Sequence, residues 1–206
     1  MKHKLNVRRM TELALLMAIV LIMAFTPLGY LMTPWGIQIT FIVIPVAVGS
    51  VVLGPGAGAF LGLVFGLTSF AKAFETAIGI LMLETSVIGT FAVSVLPRVM
   101  VGLLPGLLYR GLHRFSGLRT ASQAVCCFLT PVVNTALYIG ASWLIFSDIW
   151  LQNAMAAGYE GTTGWGLLAF MLGMVAVNGI AEAIACLILG TAVCRALIHA
   201  LHRNED

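Results

Sequence analysis

The sequence predicts an all-α membrane protein whose six transmembrane helices form one domain over residues 1–206. Of the 206 residues, 60% are hydrophobic and only 9% are charged, whereas soluble domains carry about 25% charged residues. The apolar runs are long, and because a spanning helix needs about 20 residues, roughly six spans fit the chain. The runs also lack the alternation of apolar and polar positions that a transmembrane β-barrel requires.

Three spans are predicted in the N-terminal half. A basic leader precedes span 1, at about residues 11–32, and a short link containing proline and glycine follows it. Spans 2 and 3, at about residues 38–53 and 56–72, form an uncharged helical hairpin, because the Gly-Pro and Pro-Gly pairs between them are strong turn signals. In span 3, glycines at every fourth residue from Gly58 to Gly66 share one face, which favours close approach of another helix backbone.

Three further spans are predicted in the C-terminal half. The link over residues 73–88 contains an apolar piece too short to span, so we expect a loop with a short helix that partly covers the outer surface. A basic loop separates spans 4 and 5, and a polar link over residues 147–164 precedes span 6. The three spans lie at about residues 88–109, 120–146 and 165–188, and the last is expected to continue into the terminal stretch.

The charges of alternate connections predict the orientation of the chain in the membrane. One side collects nine basic residues, and the other side has only Lys72. Cytosolic loops carry an excess of lysine and arginine, so both termini are expected in the cytosol. The nine are Lys2, Lys4, Arg8, Arg9, Arg110, Arg114, Arg119, Arg195 and Arg203.

The motifs of common enzymes are missing from the sequence. It contains no P-loop, no HExxH motif and no serine in a nucleophile elbow. We therefore expect no enzyme activity, no cofactor, no metal site and no nucleic-acid partner, and uphill transport would need an ion gradient or an ATPase partner. The four cysteines lie in apolar segments without ligand spacing and are expected as small core residues: Cys126, Cys127, Cys186 and Cys194.

Two charged residues fall at membrane depth, Arg98 in span 4 and Glu182 in span 6. Charges there are costly and usually pair in the protein interior, so we expect these two to pair with each other. The pair would either contact a ligand or only lock the two helices together. Asn134 and Asn178 lie inside spans 5 and 6, where an amide either bridges helices or binds a polar ligand.

A second group of candidates lies nearer the outer ends of the helices: Trp35, Thr68, Lys72 and Tyr138. An apolar pocket with aromatic walls and a few convergent polar groups suits a small molecule. The alternatives are an interfacial belt for the aromatic residues and snorkelling for the lysine. Together with the intramembrane charges and amides, these residues predict a ligand site in the outer half of the membrane, between spans 4, 5 and 6.

Several segments resemble the substrate-binding S components of energy-coupling factor (ECF) vitamin transporters. Span 1 carries an Ala-xxx-Ala pair, Ala14 and Ala18, and the hairpin reads IPVAVGSVVLGPGAGAFLGLVFGLTS. The stretches LPRVMVGLLPGLLYRGL at 96–112 and VNGIAEAI at 177–184 are similar to the same family in spans 4 and 6. The resemblance covers most of the chain.

The resemblance implies a multi-pass protein of a prokaryotic cell membrane that binds a vitamin or vitamin precursor near the outer side. Ala14 and Ala18 would dock on a transmembrane coupling subunit that carries two cytosolic ATPases, and the S component would topple in the membrane to deliver its ligand. The loops over 33–38 and 73–88 would close over the site.

The substrate and the transport class have alternatives. The hairpin and NGIAEAI are closest to pantothenate-type members, whereas the Asn-x-x-Lys motif of riboflavin-type members is incomplete, because Asn178 is followed by Ala181 at the third position. Riboflavin, folate or another vitamin are the alternative substrates. The competing hypotheses are a self-sufficient secondary carrier or small channel driven by a gradient, for which paired intramembrane charges are typical, and a purely structural membrane protein.

Overall fold

The computed structural model describes residues 7–32, 38–114, 119–159 and 164–203. These parts of the chain are almost entirely helical, which confirms the predicted all-α class. The helices are α1 (Val7–Phe25), α2 (Val43–Val52), α3 (Pro55–Ala73), α4 (Ala77–Thr85), α5 (Val87–Leu112), α6 (Arg119–Ala156), α7 (Trp165–Ala185) and α8 (Thr191–Arg203). A π-helical segment, Cys186–Gly190, joins α7 to α8 without a break.

Among the described residues, four helical segments are long and apolar enough to cross a membrane: Pro55–Ala73, Val87–Leu112, Ala121–Ala156 and Asn178–His199. They overlap predicted spans 3 to 6, and the last two extend beyond the predicted bounds. Helix α2 is apolar but has only 10 residues, and α1 carries three charged residues in its first turns, Arg8, Arg9 and Glu12. Large apolar side chains such as Ile88 and Leu144 are exposed on the bundle surface, an arrangement suited to lipid contact.

The link between α1 and α2 forms a small antiparallel ribbon. Strand β1 (Tyr30–Met32) pairs with β2 (Gln38–Thr40), with Tyr30 opposite Thr40. Predicted spans 1 and 2 therefore extend too far, because α1 ends at Phe25 and α2 begins at Val43. Pro27 lacks a backbone N–H and cannot continue the helix, so the chain passes through a 3₁₀ turn, Pro27–Gly29, into the ribbon.

Helices α3 and α5 pack backbone to backbone along a glycine seam, formed by Gly58, Gly62 and Gly66 on α3 and Gly102 on α5. A Cβ atom at Gly66 would lie 2.8 Å from the Cα of Val95, and one at Gly62 would meet the backbone of α5. The predicted glycine face of span 3 is confirmed by this contact.

The C-terminal half differs from the prediction mainly in the length of α6. This helix continues through most of the predicted polar link to Ala156, with non-helical dihedral angles at Phe146 (φ −127°, ψ 33°). The short helix expected in the 73–88 link is present as α4, whose N-terminus is capped by the Thr76 side chain. The four cysteines are buried and carry free thiols, as expected for core residues.

Candidate ligand-binding cavity

A cavity of about 710 Å³ opens at the end of the bundle where α3 ends and α5 begins. Small-molecule sites typically enclose about 300–1,000 Å³. Its described walls come from the end of α1, from β2, from α3 and α4, and from one side each of α5, α6 and α7. Polar and apolar groups share these walls, so the cavity suits a ligand that has both kinds of surface.

Five of the eight predicted ligand-binding residues line this cavity: Lys72, Arg98, Tyr138, Asn178 and Glu182. They come from four helices and are separated by up to 110 residues in sequence (182 minus 72). The structure therefore places the charged residues of predicted spans 4 and 6, one of the two amides and one aromatic residue around one cavity.

Arg98 supplies a buried cation to the wall. Its Nη1 donates a hydrogen bond of 3.0 Å to the carbonyl oxygen of Val93, one turn away on α5. The guanidinium lies over the Tyr138 ring, 4.6 Å from the centroid, and 5.7 Å from the centroid of Phe65. Cation–π contacts at these distances favour the charged guanidinium and fix its position. The cavity therefore contains a preoriented positive group.

Glu182 contacts the ribbon rather than forming the predicted pair with Arg98. Its Oε1 accepts a hydrogen bond of 2.8 Å from the backbone N–H of Thr40 in β2. The salt bridges shown between described residues are Arg8–Glu12 and Lys72–Glu75, so the predicted direct ion pair of Arg98 and Glu182 is corrected to a longer-range attraction between the two charges. The carboxylate instead ties the ribbon to α7, across one edge of the cavity.

Lys72 and Asn178 occupy different parts of the wall. Lys72 Nζ lies 2.7 Å from Glu75 Oε2, and both side chains are partly exposed, 31% and 62%. Such a pair contributes little to stability, but it places one charge of each sign at the mouth. Asn178 is half-buried on α7, one turn before Glu182. Its amide supplies a donor and an acceptor inside the cavity.

The remaining three predicted residues are not among the described lining of the cavity. Asn134 is buried on α6, and its Oδ1 accepts no hydrogen bond from the described residues. Thr68 is buried and donates a hydrogen bond of 2.8 Å to the carbonyl oxygen of Phe65, while its neighbour Ser69 lines the cavity. Trp35 lies outside the described residues.

Thr40 and Trp150 also line the cavity, although neither is among the predicted ligand-binding residues. Thr40 falls within predicted span 2, and Trp150 falls within the predicted polar link. A signal for Trp150 was present, since Phe146, Ile149 and Trp150 are spaced i, i+3 and i+4, which continues the helical period of span 5. Trp150 is buried on α6, and Thr40 ends β2.

The predicted docking residues, Ala14 and Ala18, are exposed on α1. They lie four residues apart and so share one helix face with Leu15 and Ile22, which are also exposed. Ala24, the first α1 residue that lines the cavity, is ten residues beyond Ala14, or about 15 Å along the helix. Ala14 and Ala18 therefore lie about 15 Å and 9 Å along α1 from the nearest residue of the helix that lines the cavity.

Comparison with known proteins gives consistent matches along the chain. A family model described as "ECF transporter, substrate-specific component" matches residues 8–193. The chain is 31% identical over 205 residues to a protein named pantothenic acid transporter PanT, from Lactococcus lactis subsp. cremoris (strain MG1363), with 94% of each chain covered. It is 30% identical over 190 residues to a protein named pantothenate transporter PanT, from Leuconostoc mesenteroides subsp. mesenteroides, with 88% of each covered.

Proposed function

Because the chain belongs to the family of substrate-specific components of ECF transporters, we propose that its cavity binds pantothenate for uptake. The observation that carries the proposal is the buried Arg98 guanidinium in the wall of a cavity of about 710 Å³. Pantothenate has a carboxylate at one end and an amide in the middle; at the other end, a carbon with two methyl groups lies between two carbons that each carry a hydroxyl. The names of the two relatives support the same substrate.

The carboxylate is assigned to Arg98. Guanidinium groups bind carboxylates with strong, charge-assisted hydrogen bonds, and this one is held in place by Val93 and Tyr138. The amide of Asn178 is suited to the peptide-like group of the ligand, because each offers a donor and an acceptor. Val175 and Met82 supply apolar surface for the branched carbon.

The membrane arrangement is part of the proposal. We infer six spans, with both termini in the cytosol, because nine basic residues lie on one side of the predicted topology and one on the other. The exposed face at Ala14 and Ala18 would dock on a transmembrane coupling subunit with two cytosolic ATPases, in a prokaryotic cell membrane. Two alanines leave a shallow surface that permits reversible helix contact.

The substrate is tested by titration calorimetry of the purified protein with pantothenate, riboflavin and folate. Pantothenol, in which a primary alcohol replaces the carboxylate, isolates the role of Arg98. We expect Arg98→Gln to weaken pantothenate binding by about 10- to 150-fold, the worth of a hydrogen bond to a charged group, and to change pantothenol binding little. Binding of riboflavin or folate without binding of pantothenate would refute the substrate.

The transport class is tested by uptake of labelled pantothenate in cells and in vesicles. Uptake that requires coexpressed coupling and ATPase subunits supports the proposal. Uptake by the protein alone, abolished by a protonophore, would instead show a gradient-driven carrier.

The topology is tested with Ser116→Cys and Thr162→Cys in a background without native cysteines. An impermeant thiol reagent that labelled position 116 but not 162 in intact cells would reverse the proposed orientation.

A further inference from the structure

Trp150 places an unused hydrogen-bond donor in the cavity wall. The side chain is 6% exposed and lines the cavity, and its Nε1–H donates to none of the described residues. The indole N–H is a donor only, and buried tryptophan side chains usually find a partner for it. The described wall supplies no acceptor for this N–H, so an acceptor atom of a bound ligand would satisfy it.

A break in α6 lies between Tyr138 and Trp150, because Phe146 has non-helical dihedral angles. Trp150 follows Tyr138 by 12 residues, so at 3.6 residues per turn a regular helix would turn it about a third of a turn away from Tyr138. Trp150 nevertheless lines the cavity together with Tyr138. It also packs in the same apolar cluster as Ile149.

The surroundings of the indole define the acceptor that it suits. Trp150 belongs to an apolar cluster that includes Met82, Val93, Leu167 and Met171. A charged ligand group among these side chains would lose its hydration without a counter-charge, whereas a neutral oxygen needs only one donor. Twelve residues of α6 rise by up to about 18 Å, so the backbone of Trp150 lies well along the helix from Tyr138, on whose ring the guanidinium is stacked.

We propose that Trp150 determines specificity by donating its N–H to a neutral oxygen, carbonyl or hydroxyl, at the end of the ligand remote from the carboxylate. This inference rests on the proposed function, which assigns the carboxylate to Arg98. Both ends of the ligand are therefore recognised. The guanidinium binds the charged end, and the indole N–H binds the uncharged polar end.

Two replacements at position 150 test the hydrogen bond. Trp150→Phe removes the N–H and part of the ring, and site-specific replacement by 3-benzothienylalanine removes the N–H but keeps the ring shape. Trp143→Phe is the matched control, because Trp143 lies on the same helix and is not among the described lining of the cavity. Affinities for pantothenate and pantothenol are measured by titration calorimetry, with the melting temperature of each variant as a check of folding.

Both replacements at Trp150 should weaken binding by about five- to 150-fold, the worth of one buried hydrogen bond. The factor should be the same for pantothenate and pantothenol, because the two ligands differ only at the carboxylate end. Trp143→Phe should leave both affinities unchanged. Full affinity in the benzothienylalanine protein would overturn the proposed hydrogen bond and leave the pantothenate assignment standing. A wild-type protein that does not bind pantothenate would overturn both.

Discussion

Removal of the Glu182 carboxylate should release the ribbon over the cavity. In Glu182→Ala the Thr40 N–H loses its acceptor, which lies 2.8 Å away in the wild-type protein. A hydrogen bond to a charged group contributes about 1.5–3 kcal/mol. If the ribbon must detach before the ligand leaves, the dissociation rate rises by about 10- to 150-fold. In Glu182→Gln the side-chain amide oxygen is a neutral acceptor, whose hydrogen bond is about half as strong. The dissociation rate should then rise by about three- to twelve-fold.

The assay is rapid mixing of preloaded protein with excess unlabelled pantothenate, followed by filtration at successive times. Glu75→Ala is the control, because Glu75 is the other carboxylate that lines the cavity and it pairs with Lys72 at the mouth rather than with the ribbon. The association rate separates the two possible roles of Glu182. If Glu182 acts as a latch that holds the ribbon against α7, its removal lets the ligand both enter and leave faster. If Glu182 instead contacts the ligand directly, its removal raises the dissociation rate alone.

An unchanged dissociation rate in Glu182→Ala, in protein that melts at the wild-type temperature, would refute the latch. The hydrogen bond to Thr40 would then only position the two segments, and ligand exit would follow another route.

Three further predictions follow from the fold and the cavity. Ala14→Trp should abolish transport but leave ligand affinity intact, since the bulky ring blocks docking about 15 Å from the cavity; loss of binding as well would show misfolding or a site on α1. Gly62→Ala should lower the stability by about 1–3 kcal/mol by separating α3 from α5, measured by thermal melting, whereas Gly56→Ala, with no atom within 4 Å of its added Cβ, should not destabilise the protein. Asn178→Ala should weaken pantothenate binding by about five- to 150-fold, while Asn134→Ala should change it less than about threefold; equal losses in calorimetry would place both amides at the ligand.

The helices follow from the sequence because their signals are local. Long apolar runs, the Gly-Pro-Gly turn and the glycine face of α3 each depend on neighbouring residues, and the structure reproduces them. The pairing of β1 with β2 was not predictable because strands of three residues are too short for an alternating pattern, and their apolar residues resemble continuations of the adjacent helices. Predicted span 5 ends at residue 146, before the end of α6, because the polar residues that follow suggest a link.

Part of the cavity wall was predictable from the sequence. Charge and polarity within the apolar spans indicated Arg98, Asn178 and Glu182, because buried polar groups need partners whatever the fold. The partner of Glu182 was not predictable, because it is the backbone N–H of Thr40, and the side-chain types in the sequence do not indicate which backbone N–H a carboxylate binds. Asn134 shares a helix face with Tyr138, but it lies one turn further from Trp150, beyond the part of α6 that lines the cavity.

The glycine seam limits which parts of the cavity wall are able to move. Because α3 and α5 touch through their backbones, sliding one past the other would force main-chain atoms into contact. We therefore expect Ser69 on α3 and Arg98 on α5 to move together, so that the guanidinium changes position little when a ligand binds. We therefore expect opening to involve the ribbon, which is hydrogen-bonded to α7 through Glu182. An inhibitor that contacts both the ribbon and the α3–α5 wall should then keep the cavity closed.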